Sequence, residues 1–160
     1  LYNQQILKIY FLVFHKRQGK ILPPCPVIHK SVAIPYSKGK NTKSKTYNTF
    51  LKKYLEKNPK AEYFLLDGGH KSSAATLAHK KIPVFVISNN QDLKKAKKLK
   101  TSGKLLGWHT IEKSIKDVMK DLTKHHFGTK EFLTVEDKVR RMVKNKDISK
   151  HLIHFYKNKK

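Results

Sequence analysis

Acidic residues are scarce in this chain. Eleven Asp and Glu stand against 36 Lys and Arg in 160 residues, a formal net charge of +25. Such a chain repels itself unless an anion is nearby, and nucleic acid or an anionic membrane surface are the partners that supply one. Cysteine is nearly absent as well. Cys25 alone excludes an intrachain disulfide framework and points to a reducing, cytoplasmic setting, with Cys25 as a small packing residue. Arginine is almost missing: Arg17, Arg140 and Arg141 are the only ones. Lysine meets phosphate as a hydrated point charge without a bidentate fork, so backbone contact, strong salt dependence and little base reading are predicted. Long hydrophobic runs are missing too. Residues 6–14 form the longest, but it contains Lys8 and falls far short of the ~20 residues of a membrane span. No basic stretch precedes it and no small-residue cleavage site follows, so it does not read as a signal peptide. The chain starts at Leu1 rather than Met, which leaves open whether residues precede it.

What is present fits one domain with a small appendage. At 38% hydrophobic the chain can bury a modest core, and it is too apolar to be wholly disordered. The β-branched and aromatic run 6–14 predicts a buried strand. Gly19 predicts a turn, and Pro23, Pro24 and Pro26 an extended stretch before short strands at Val27-Ile28 and Val32–Ile34. Residues 37–45 carry no large apolar side chain and read as an exposed basic loop. Tyr47, Phe50, Leu51, Tyr54 and Leu55 recur at helical spacing, and Asn58-Pro59 ends that helix. A strand over 62–66, a helix over 72–79 and a strand over 82–87 follow, then a short helix capped by Asp92. Thr101-Ser102-Gly103 reads as a linker. Beyond it lie only helix signals: Thr110 before Ile111, Ile115, Val118, Met119 and Leu122; a capping-box pattern at Thr134–Asp137; and an apolar segment over 148–156. The expected fold is therefore α/β or α+β, with a body over 1–102 and a basic helical region over 103–160. A chain cut near residue 103 is expected to keep a folded body.

The stretch richest in chemistry is the strand–turn–helix junction Asp67-Gly68-Gly69-His70-Lys71-Ser72-Ser73. Two glycines allow a tight turn and close backbone approach to a ligand. A helix beginning there offers N–H groups and the positive end of its dipole, which suit phosphate. Lys71 adds charge, and Ser72 and Ser73 add hydroxyls. Asp67 could hold Mg²⁺ or accept a proton, and His70 could donate to a phosphoryl oxygen or act as acid/base. An ordinary strand–turn–helix junction capped by Asp67 reads the same residues without chemistry. The loop is not of the Walker A type, because Gly-x₄-Gly-Lys is absent.

The segment from Tyr63 to Ile87 resembles the core of the ParB/sulfiredoxin superfamily: a strand, an Asp-Gly-x-His-Arg-type loop, an alanine-bearing helix and an Ile-Pro-Val strand. A looser likeness runs over about 27–100. The resemblance implies a small mixed sheet with helices and a phosphate- or nucleotide-binding loop. Members include DNA- and CTP-binding partition proteins, proteins described as nucleases, sulfiredoxins and ADP-dependent free-serine kinases. Gly69 stands where sulfiredoxin needs a cysteine, which excludes that activity. The loop also lacks the acidic residue and both arginines of the partition proteins. The kinase-like and nuclease-like pattern fits best, with Lys71 in place of arginine. Carried over, Gly68, Gly69, His70, Lys71, Ser72 and Ser73 would line a nucleotide site for ATP, ADP or CTP. Asp67 would hold Mg²⁺, and Asp67 and His70 would be catalytic. The implied activities are a metal-dependent nuclease or NTPase, a small-molecule phosphotransferase, or a non-enzymatic DNA-binding protein.

Two basic stretches are candidate nucleic-acid contacts, with DNA the expected form: Lys94, Lys95, Lys97 and Lys98, and Lys138, Arg140, Arg141 and Lys144. A solvated helix face reads equally well for the first. Nine histidines invite a metal, yet His125-His126 are adjacent, and His151 and His154 lack further ligands of a closed site. Trp108, Phe127, Phe132, Phe155 and Tyr156 read as packing residues of the helical region. A homodimer is left open.

Overall fold

A computed structural model describes residues 3–105, 114–129 and 131–158. It is of mixed α and β content, as expected, with a small three-stranded mixed sheet. The described elements are α1 (Gln4–His15), a 3-10 turn at Gly19–Ile21, β1 (Cys25–His29), α2 (Thr42–Lys57), β2 (Tyr63–Leu65), α3 (Gly69–Leu77), β3 (Val84–Ile87), α4 (Asn90–Thr101), α5 (Ile115–His126), α6 (Val135–Lys144) and α7 (Lys150–Asn158). The chain folds into two compact units, each assembled from separate segments.

The first unit comprises Leu1–Cys25, Gly68–Val84 and Leu133–Lys160. Its core is helical. Leu7, Phe11 and Phe14 of α1 meet Ala74, Ala75, Leu77 and Ala78 at α3, Val139, Met142 and Val143 of α6, Ile148, and Leu152 of α7. The alanines let α1 approach α3 closely. Phe11 packs edge-on against Phe155, with ring centroids 5.1 Å apart, and His79 stacks on Tyr156. The last 28 residues therefore share a core with the first 25, although the sequence reading assigned them to a separate region.

Residues 6–14 are helical, not the strand that their β-branched content predicts. Asn3 fixes the start: its side chain accepts from the backbone N–H groups of Gln5 and Ile6, a cap worth about 1 kcal/mol. The buried residues Leu7, Phe11 and Phe14 follow a 3–4 spacing, and tertiary burial along that face outweighs strand propensity.

The second unit comprises Pro26–Asp67 and Phe85–Phe132. The sheet order is β2-β1-β3. β1 runs antiparallel to β2 in the register Val27↔Leu65, Ile28↔Phe64, His29↔Tyr63. The central strand β1 is buried over its first four residues, as the apolar Val27-Ile28 requires. Ile28, Leu66 and Ile87 pack with Leu93 and Ala96 of α4, with Leu105, and with Val118, Met119 and Leu122 of α5. Tyr47 of α2 is buried, donates from its hydroxyl to the Pro35 carbonyl at 2.9 Å, and packs against Phe127 and Phe132. Burial raises its phenol pKa.

Several predicted boundaries move. α2 begins at Thr42, five residues before the apolar spacing starts, because Asn41 caps it by accepting from the Ser44 N–H; residues 42–45 are thus helical rather than loop. Val32–Ile34 form no strand; Val32 and Ala33 pack onto the second core. Asn89, not Asp92, caps α4, and Asp92 reaches back to the Ser88 N–H at 3.0 Å. Ser114 caps α5 in a capping box with Asp117, while Thr110 and Ile111 lie outside the described residues, as does Trp108. The Thr134–Asp137 capping box forms as read. Phe127 and Phe132 pack in the second unit, Phe155 and Tyr156 in the first, so the C-terminal aromatics do not serve one helical cluster.

Candidate functional site

The junction singled out in the sequence divides between the two units: Asp67 ends a segment of the second, and Gly68–Ser73 open a segment of the first. Gly68 is the N-cap of α3 in a left-handed backbone conformation, with φ 94°, which a residue bearing Cβ adopts only under strain. The other caps on α1, α2, α4, α5 and α6 are Asn, Ser or Thr side chains bonded to backbone N–H groups. Gly68 has no side chain to place there.

The side chains that follow turn inward. Lys71 is 0% exposed, and its Nζ donates to the backbone carbonyl of Pro23. Burial lowers its ammonium pKa from the ordinary lysine value, with a smaller opposing contribution from Cys25. Ser73 is fully buried; Ser72 is nearly so and donates from Oγ to the Gly69 carbonyl at 3.1 Å. His70 accepts the backbone N–H of Asn3 at its Nε2, at 3.1 Å. That bond places the neutral ring's proton on Nδ1. Lys71, Ser72 and His70 are thus engaged in holding α3 together and in joining it to the start of α1 and to the 23–25 segment. Any phosphate contact at this helix start falls to its backbone rather than to the lysine. Asp67 is the carboxylate of the junction. Among the described residues no group of three or more His, Cys, Asp or Glu side chains could hold a metal ion. His151 packs against Phe11, and His154 contacts Asn158.

The basic candidates differ from one another. On α4, Leu93 and Ala96 face the core, which sends Lys94, Lys97 and Lys98 outward at i, i+3 and i+4. These three lysines, with Thr101 and Ser102, line an open groove of about 580 Å³. None of the three has an acidic partner among the described residues, whereas Lys95 pairs with Asp92 at 3.7 Å. On α6, Lys138, Arg140, Arg141 and Lys144 are exposed. There Arg140 is tied to Glu136 by a 2.6 Å contact one turn away, which also raises its pKa. On each helix one of the four basic candidates is thus ion-paired, Lys95 on α4 and Arg140 on α6. Thr101 and Ser102, read from sequence as linker, are the last helical residue and the C-cap of α4. Their place beside the stripe was legible in the heptad spacing from Lys94 to Thr101.

In comparisons with protein-family models, curated proteins and solved structures, nothing matches this chain.

Proposed function

We propose that the protein binds nucleic acid, with duplex DNA as the expected form, by gripping the phosphate backbone through lysine. The observation that carries this reading is the α4 stripe: Lys94, Lys97 and Lys98 lining one open groove, with no ion pair to an acid among the described residues, on a chain of net charge +25. Each lysine that neutralises a phosphate releases condensed counterions, so the affinity comes largely from salt-sensitive electrostatics. Thr101 and Ser102 line the same groove, with their hydroxyls donating to the Lys97 and Leu99 carbonyls, so the lysines are its phosphate-binding groups. Lys138, Arg141 and Lys144, exposed on α6, are a second contact. The single cysteine, buried as Cys25, is in keeping with a cytoplasmic setting. The test is fluorescence anisotropy of a labelled duplex titrated at 50–200 mM salt. Lys94→Gln/Lys97→Gln/Lys98→Gln is expected to reduce the slope of log K against log[salt] by about 2.7, since each phosphate contact contributes roughly 0.9. An unchanged slope with unchanged affinity would remove α4 from the interface. Single-stranded DNA and duplex RNA, run in parallel, establish the preferred form.

A second reading follows the ParB/sulfiredoxin resemblance: a nucleotide phosphate held at the start of α3. The left-handed Gly68 at the head of α3 favours it. In this reading the helix backbone holds phosphate, and Lys71 is a structural residue. The site would serve a nuclease, an NTPase or a phosphotransferase. Phosphorus NMR of ATP, ADP and CTP with Mg²⁺, with and without duplex DNA or free serine, distinguishes hydrolysis, transfer and no turnover.

A further inference from the structure

α1 is apolar on more sides than the first unit covers. Leu7, Phe11 and Phe14 are buried in the core, yet Ile6 is 40% exposed, Ile9 61% and Leu12 50%. Ile6, Ile9 and Leu12 are three residues apart, and the half-buried Val13 lies one turn beyond Ile9, so all four share the outer face of the helix. A helix that is apolar all round normally has a second apolar neighbour. Lys8 on α1 and Lys16, Arg17 and Lys20 directly after it are all exposed. No acidic residue occurs in the sequence before Glu56.

We propose that the outer face of α1 docks on an anionic lipid surface, with Ile6, Ile9 and Leu12 entering the headgroup–acyl boundary and Lys8, Lys16, Arg17 and Lys20 meeting the lipid phosphates. Charge selects this occupant. A second copy would bring another +25 against the same basic rim, which opposes self-association through this face. Nucleic acid satisfies the lysines but offers little to three exposed aliphatic side chains. An anionic bilayer satisfies both, by apolar burial and electrostatic attraction together. The attachment is peripheral: α1 has 12 residues, and no described helix is long and apolar enough to cross a membrane.

The full chain, sedimented with vesicles, tests this. Vesicles of phosphatidylcholine alone and of phosphatidylcholine with about one-third phosphatidylglycerol are compared at low and high salt. The protein should bind the anionic vesicles and not the neutral ones. Ile9→Asn/Leu12→Asn should weaken that binding roughly tenfold per side chain, while duplex-DNA affinity stays at the wild-type value. Lys16→Gln/Lys20→Gln should weaken vesicle binding and lower its salt dependence. Ile9→Asn alone, at the most exposed of these positions, serves if the double variant loses its wild-type circular dichroism melt. Equal binding to both vesicle types, or no loss in the Ile9 variants, would overturn the proposal. So would a dimer in sedimentation equilibrium that Ile9→Asn/Leu12→Asn dissolves, because a second copy would then be the occupant.

Discussion

Lys71 offers the sharpest test of the first unit, because sequence and structure assign it opposite roles. As a phosphate ligand it would face solvent, and Lys71→Ala would abolish binding without harming the fold. As found, it is fully buried with Nζ on the Pro23 carbonyl. Truncation to Ala then removes three buried methylenes, about 0.8 kcal/mol each, and a charge-assisted hydrogen bond of about 1.5 kcal/mol. Release of a desolvated ammonium offsets part of this. A net loss of about 2–3 kcal/mol is expected, a fall in melting temperature of roughly 5–12 °C for a chain of this size. Lys71→Met keeps the stem volume and discards the charge, so it should stay within about 1.5 kcal/mol of wild type. The pH dependence carries a second signature. Burial holds the folded-state pKa of Lys71 below that of the unfolded chain. Between the two values the unfolded state binds the extra proton, so wild-type stability gains from this group as pH rises through that alkaline window. Below the lowered pKa that contribution is absent. Lys71→Met should lack the gain, and its difference from wild type should shift accordingly from pH 7 to pH 10. The readout is thermal denaturation by circular dichroism across that range. A Lys71→Ala variant that melts like wild type yet no longer binds nucleotide would refute the buried assignment.

Two further outcomes follow from the helices of the first unit. Deleting residues 133–160 removes Val139, Met142, Val143, Ile148 and Leu152 from the core they share with α1 and α3, so the 1–132 chain should aggregate or bind a hydrophobic dye far more strongly than wild type. A well-folded 1–132 fragment that binds the dye no more than wild type would show that α1 and α3 are stable without α6 and α7. Thr134→Ala removes the hydroxyl that accepts from the Asp137 N–H at 3.0 Å and should cost about 1 kcal/mol by urea denaturation; no measurable loss would mean that the α6 capping box contributes nothing net.

The parts of the fold that were legible in the sequence are those with local chemistry. Asn58-Pro59, Thr134–Asp137 and the Val27-Ile28 strand carry their instructions within a few residues, and the structure follows them. Residues 6–14 were misread because a short continuous apolar run does not distinguish a buried strand from a buried helix. The deciding features were the Asn3 cap and the Leu7–Phe11–Phe14 spacing, both weaker to the eye than the β-branched side chains. The two-unit packing was not legible at all. It depends on which distant segments share a core, and the composition change after residue 100 does not mark that division.

Charge type alone also misled at the candidate site, although periodicity contains the correction. Lys71, Ala74, Ala75 and Ala78 fall at i, i+3, i+4 and i+7, so the lysine lies in the same stripe as the alanines that bury α3. Its neighbours require it to point inward, and a nearby carbonyl, Pro23, then makes burial tolerable by accepting from Nζ. Lys94, Lys97 and Lys98 lie out of phase with Leu93 and Ala96, and they face outward. One residue type therefore does two jobs in this chain, and the phase of each lysine relative to its helix's apolar stripe decides which. The glycine turn at Asp67–Gly69 drew attention to Lys71 because of what a glycine-rich helix start often binds. The alanines that follow it decide where this lysine goes.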